Sequence, residues 1–132
     1  MKGLDTIVIV RFLVNDDAAQ AAAARKLLLD AEKKGEGVFM PLSVTLETIW
    51  VLDSVYGYSR QDIILALENL LVLSVLEMEA HERIASLCRL AAVNDSDLAD
   101  LLIGLTARDN GCETTLTFDK KTARSDLFML IR

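Results

Sequence analysis

The sequence predicts an α/β fold, with a mostly parallel sheet of four to five strands covered by helices on both faces. Three observations predict it. Short apolar runs suited to buried strands recur along the chain, as at Val38-Phe39-Met40 and Thr114–Thr117. Longer stretches between them carry apolar residues at helical spacing. Capping and stop residues separate the two kinds of segment, and strands that alternate with helices need crossover connections and therefore pair in parallel.

Taken in order, Lys2 to Asp5 reads as a first strand and the residues through Leu13 as a helix. Asn15-Asp16-Asp17 breaks the pattern, and Asp16 or Asp17 can cap a helix that stops at Lys33-Lys34-Gly35, with basic residues in its last turn and then glycine. Val38–Met40 is a second strand. Ser43 is placed to cap a helix through Val55, Gly57 ends it, and Ser59 caps another to about Leu71. Val72–Val75 reads as a third strand. Helix resumes from Glu79 to Ala92. Asn94-Asp95-Ser96 turns into a helix over Asp97–Asp109, which Gly111 stops. Thr114–Thr117 is a fourth strand, a short helical turn follows Asp119, and Phe128–Ile131 is a fifth strand.

The chain of 132 residues suits a single domain, 1–132, and nothing in it marks a linker or an internal repeat. No apolar run is long enough to span a bilayer. Met1-Lys2-Gly3 leads straight into a strand without the segments of a signal peptide, so the expected location is the cytoplasm. Cys88 and Cys112 form no CxxC and read as small buried apolar residues. His81 is the only histidine and sits among Glu79, Glu82 and Arg83, which excludes His-rich metal sites and points to a solvated surface role. The net charge of −6 argues against a general electrostatic DNA coat, although metal and a local basic rim can reverse the field at one site.

The chemistry is carried by acids that stand alone in uncharged stretches: Asp5, Glu47, Asp100 and Asp119. A carboxylate near an apolar core is unfavourable unless something compensates it. Each has a local explanation: Asp5 as a helix cap, Glu47 near Ser43 at a spacing one residue too long for the standard capping box, and Asp119 opening a turn. Asp97 and Asp100 share a helical face near a helix N-terminus, where the dipole favours anions. Asp5 and Asp119 end strands while Glu47 and Asp100 begin helices, and in parallel sheets sites form beyond the carboxyl ends of the strands. A hard divalent cation wants such carboxylate oxygens and needs neither His nor Cys. Asp5, Asp100 and Asp119 are the expected direct or water-mediated ligands, and Glu47 is placed to position or deprotonate water. Arg11, Lys120, Lys121 and Arg124 are the candidate phosphate contacts.

Leu4-Asp5-Thr6 with Arg11-Phe12-Leu13, Pro41-Leu42-Ser43 through Leu46–Leu52, Asp97–Leu105, and Gly111-Cys112-Glu113 with Leu116–Asp119 together resemble, in order, the four motifs of PIN-domain nucleases of the VapC toxin type. The resemblance implies a three-layer α/β/α sandwich and a Mg²⁺- or Mn²⁺-dependent ribonuclease. It also implies a homodimer, inhibited by a small antitoxin encoded nearby. Asp5, Glu47, Asp100 and Asp119 then form the acidic quartet, Asp97 matches an additional acid, and Thr6 and Thr117 are supporting neighbours. One residue departs from the pattern: Ile7 stands where the family usually has Asn, so the alternative is a weakened PIN-like module that only engages a protein partner. A phosphoacceptor receiver domain fails because Asp5 stands alone and Asp53 falls inside a helical pattern. A haloacid-dehalogenase-like phosphatase fails because Ile7 occupies the second Asp of its DxD.

Overall fold

The computed structural model describes residues 1–132. The chain divides into two compact units, Met1–His81 and Glu82–Arg132.

The first unit runs β1 (Lys2–Gly3), α1 (Thr6–Val14), α2 (Ala18–Lys34), β2 (Val38–Met40), α3 (Leu42–Ser54), α4 (Arg60–Leu71) and β3 (Leu76–Met78). Its strands pair in parallel in the order β1-β2-β3, with Gly3 opposite Phe39 and Phe39 opposite Glu77. The Leu4 amide extends the first ladder by donating to the Phe39 carbonyl at 2.8 Å. Strands this short add few ladder bonds, so helix packing carries the unit: α1 lies against both α2 and α3. Ile9, Val10, Met40, Leu52 and Leu70 are fully buried. α2 is held at both ends as its sequence requires. Asp17 accepts the Gln20 amide at 3.0 Å, and Gly35 closes the helix in the left-handed region at φ 67°. Ser59 caps α4 through the Asp62 amide at 3.1 Å.

α5 (His81–Ala91) begins on the last residue of that unit, and the second unit continues with α6 (Leu98–Asp109), β4 (Thr115–Thr117), a 3₁₀ turn (Thr122–Arg124) and β5 (Phe128–Leu130). β4 and β5 pair in parallel, with Leu116 opposite Met129. Ile84, Leu87, Leu101 and Leu105 are buried to 1% exposure or less. Arg83 ties α5 to α6 through Asp109 at 2.7 Å and the Thr106 hydroxyl at 3.4 Å.

The α/β class, the parallel pairing and five strands are as the sequence predicts. The strands form two ladders, of three and two strands, a partition that depends on contacts remote in sequence. Three expectations are corrected. Val72–Val75 is turn, with the Leu73 amide donating to Leu70 and the Leu76 amide to Leu73. The strand begins at Leu76, where Leu76, Glu77 and Met78 alternate buried, exposed, buried. Ser43 lies inside α3; Pro41 is the N-cap, and the Leu42 amide finds its acceptor in Glu79 Oε1 at 3.1 Å, beyond β3. Cys88 is buried as expected, but Cys112 is exposed.

Two glycines separate tolerated from untolerated side chains. A Cβ on Gly104 in α6 would stand 2.9 Å from Phe128 Cε2 and 3.0 Å from Leu127 Cβ, whereas one on Gly37 meets only the Glu77 side chain at 2.8 Å. Gly104→Ala is expected to cost about 1–2 kcal/mol in urea unfolding, the overpacking outweighing the gain in helix propensity. Gly37→Ala should stay within about 0.5 kcal/mol, because the flexible Glu77 chain can move aside.

Candidate functional site

The carboxyl end of a parallel strand followed at once by a helix leaves the helix's first amides in need of acceptors. In the first unit Asp5 fills this role. It follows β1 by two residues, adopts extended backbone, and accepts the Thr6 amide on Oδ1 at 2.7 Å. Its other oxygen has no protein donor, and the residue is exposed. Thr6 is buried. Glu47 projects from α3 on the exposed side together with Trp50, while Thr45, Thr48, Ile49 and Leu52 turn inward. Nothing within the unit donates to its carboxylate.

The second unit gathers more. Asp97 caps α6, its Oδ1 accepting the amides of Ala99 at 2.9 Å and Asp100 at 3.3 Å. Asp119 Oδ1 accepts the amides of Lys121 at 2.8 Å and Thr122 at 3.1 Å, and its own amide donates to the Thr117 hydroxyl at 3.0 Å. The Thr122 hydroxyl donates to Asp100 Oδ2 at 3.2 Å. Thr122, buried to 6% exposure, thus holds Asp100 with its side chain and Asp119 with its backbone. Sequence reasoning missed this residue. The available signal was its place three residues after a strand-ending Asp, the spacing at which a carboxylate captures a backbone amide.

The expectation that these acids lie near an apolar core is corrected. Asp5, Glu47 and Asp119 are exposed and Asp100 is half-buried. Glu47 and Asp100 stand alone in sequence because the apolar residues around them, Ile49 and Leu52 in α3 and Leu101 and Leu102 in α6, turn to the buried side of the same helix. Neither unit by itself groups three or more Asp, Glu, His or Cys side chains where they could hold an ion. The donor chemistry nevertheless suits a hard cation. Asp5, Asp97, Asp100 and Asp119 each use one oxygen in a fixed hydrogen bond and keep the other free.

The cations fall into two kinds. Arg11 is committed: its guanidinium contacts Gln20, Asp16 at 3.2 Å and the Tyr56 hydroxyl at 3.0 Å, and Tyr56 in turn donates to Asp16 at 2.9 Å. The Tyr56 hydrogen bond first, and the charge of Asp16 after it, push the guanidinium pKa further above its ordinary value. Its expected role as a phosphate contact gives way to a structural one. Lys120, Lys121 and Arg124 are exposed and pair with no carboxylate. His81 is exposed, with Nε2 3.0 Å from the Leu71 carbonyl oxygen.

An α/β fold with carboxylates set at the carboxyl ends of parallel strands defines the class, and the PIN-domain family model matches residues 3–126: the chain belongs to the PIN-domain family. That match carries with it the three-layer α/β/α architecture expected from the sequence. The chain is also similar to a VapC ribonuclease from Aquifex aeolicus (strain VF5). The two are 25% identical over 121 residues, covering 92% of this chain and 89% of the relative.

Removing the Thr122 hydroxyl should release Asp100 without emptying space. Thr122→Val is expected to lose about 1 kcal/mol in urea unfolding and to shift the Asp100 carboxyl carbon resonance, while Thr122→Ser, which keeps the hydroxyl, should leave that resonance near wild type. An unmoved Asp100 resonance in the valine variant would show that the hydroxyl does not hold it.

Proposed function

We propose that this chain is a Mg²⁺- or Mn²⁺-dependent endoribonuclease, the toxin of a type II toxin–antitoxin pair, in which residues 1–132 act as one domain. The single observation that carries the reading is the likeness to a VapC ribonuclease along nearly the whole chain. A single family model that runs across both units supports their acting together.

In this reading Asp5, Asp100 and Asp119 would hold the ion, with Asp97, Thr6, Thr117 and Thr122 as supporting residues. The bound ion supplies an acidified water and stabilises charge on the scissile phosphate. Glu47, with no protein donor within its unit, is free to take the proton of the attacking water. Water adds to phosphorus, the bond to one ribose oxygen breaks, and that oxygen leaves with a proton. Lys120, Lys121 and Arg124 neutralise flanking phosphates.

The proposed partners are an RNA substrate, a small antitoxin protein encoded nearby and a second copy of the chain. Trp50, Val55 and Leu65 are 61%, 63% and 56% exposed on α3, the turn after it and α4, apolar surface that suits a homodimer. No helix is long and apolar enough to cross a membrane, and the proposed location is the cytoplasm. Sedimentation at tens of micromolar, by rough analogy with transient interfaces, is expected to show a dimer.

Ile7 favours a second reading. It is 48% exposed in the first turn of α1, two residues from Asp5, and offers no amide to orient that carboxylate. The alternative is a PIN-like module that engages a protein partner without cleaving RNA. Cleavage of RNA by the purified protein with Mg²⁺ or Mn²⁺ decides between them. Asp5→Asn and Asp119→Asn keep an oxygen for the local backbone amides, so both should fold, and both should lower cleavage more than about a hundredfold. Ile7→Asn should fold, because half its surface is already in water, and should raise cleavage by up to about tenfold. No cleavage by any form under either metal would leave the binding module as the reading.

A further inference from the structure

Phe118 is 79% exposed, more than any other aromatic residue of the chain. It sits between the end of β4 and Asp119, and the backbone on both sides of it is fixed. The Ile131 amide donates to the Thr117 carbonyl at 2.8 Å, the Thr117 hydroxyl accepts the Asp119 amide at 3.0 Å, and Asp119 Oδ1 takes the Lys121 amide at 2.8 Å. The ring is therefore presented to water from an ordered base, and it would lose little further freedom on binding.

The charge around it runs against that of the chain. Residues 118–124 contain Lys120, Lys121 and Arg124 against Asp119 alone, three positive and one negative for a local balance of +2, in a protein of net charge −6. None of the three cations has a carboxylate partner. An exposed aromatic ring beside unpaired cations is how proteins bind single-stranded nucleic acid, the ring stacking on a base while the cations follow the backbone. A duplex hides the faces of its bases, so only an unpaired base can use the ring.

We infer that Phe118 stacks on an unpaired base of the RNA strand, and that Lys120, Lys121 and Arg124 hold the adjoining phosphates. The inference rests on the nuclease reading for its place beside the cut bond: Phe118 adjoins Asp119, so the stacked base belongs to a nucleotide flanking the scissile phosphate. Purines are favoured by their larger stacking area.

The test is equilibrium binding of a short single-stranded RNA in EDTA, which separates binding from cleavage. Phe118→Ala should weaken binding by about 5- to 100-fold, and Phe118→Trp should restore it. An RNA with abasic riboses throughout, and a duplex of the same sequence, should bind wild type and Phe118→Ala alike. Equal affinity of Phe118→Ala and wild type for the single strand overturns the inference. So does a tryptophan variant as weak as the alanine one, an abasic strand that discriminates as well as the intact one, or a wild type that binds no single strand. A changed sedimentation of the free protein in Phe118→Ala, with RNA affinity intact, would make Phe118 a protein-interface residue and also overturn it. Cleavage is read separately with Mg²⁺ or Mn²⁺ and with Asp119→Asn. A wild type that binds through Phe118 but never cleaves sinks the nuclease reading alone, and one that cleaves with no dependence of binding on Phe118 sinks stacking alone.

Discussion

Parallel pairing of very short strands is the constraint on which the first unit depends. Each strand must be followed by a chain reversal through helix, so helix starts collect at the carboxyl ends of the strands. β1 leads through Leu4 to Asp5 and α1; β2 leads through Pro41 to α3; β3 is followed by Glu79. The register of β1 on β2, extended by the bond from the Leu4 amide to Phe39, therefore sets the position of Asp5 relative to the start of α3. Glu79 closes the arrangement by accepting the Leu42 amide, which Pro41 cannot satisfy with a side chain. A carboxylate at this edge is a structural requirement before it is a chemical one.

That double demand explains how the aspartates are built. Asp5, Asp97 and Asp119 each give one oxygen to backbone amides near a helix or turn start, where partial positive charge stabilises an anion. Asp100 lies inside the first turn of α6, behind the Asp97 cap, and a hydroxyl from Thr122 holds it instead. The fixed oxygen limits side-chain rotation and leaves the second oxygen without a hydrogen bond. Exposure matters here as well. Acids in water need no compensating charge to persist, which is consistent with their standing in place without an ion pair.

Local chemistry made most elements legible. Gly35 after two lysines, Ser59 before α4 and the uncharged triplet Val38–Met40 each specify their structure within a few residues. Errors arose where a local cue met a remote one. Ser43 looks like a cap until Glu79, distant in sequence, supplies the acceptor. Val72–Val75 has strand composition, but the strand goes where alternate residues can be buried, at Leu76 and Met78. The isolation of Glu47 among apolar neighbours suggested burial because a linear reading ignores that α3 sends Thr48 and Leu52 inward and Glu47 outward. Thr122 was invisible because its role lies in a contact across α6 and the segment after β4. The candidate acids themselves were legible as residues, since capping positions and motif order both single them out; their mutual geometry was not.

Ile7 shows how one position can be claimed by packing. It lines a mostly apolar cleft of about 390 Å³ with Val8, Ala23, Ala24, Leu27, Arg11 and Gln20. An amide at that place would set polar atoms against the alanines of α2, whereas isoleucine buries about half of its surface there. Arg11 lines the same cleft and is pinned by Asp16, Gln20 and Tyr56. Ile7, two residues after Asp5, and Arg11, one helical turn further on, thus both line the α1–α2 cleft. Lys120, Lys121 and Arg124 carry no such engagement, and they follow closely in sequence on Asp119, whose carboxylate accepts the Lys121 and Thr122 amides.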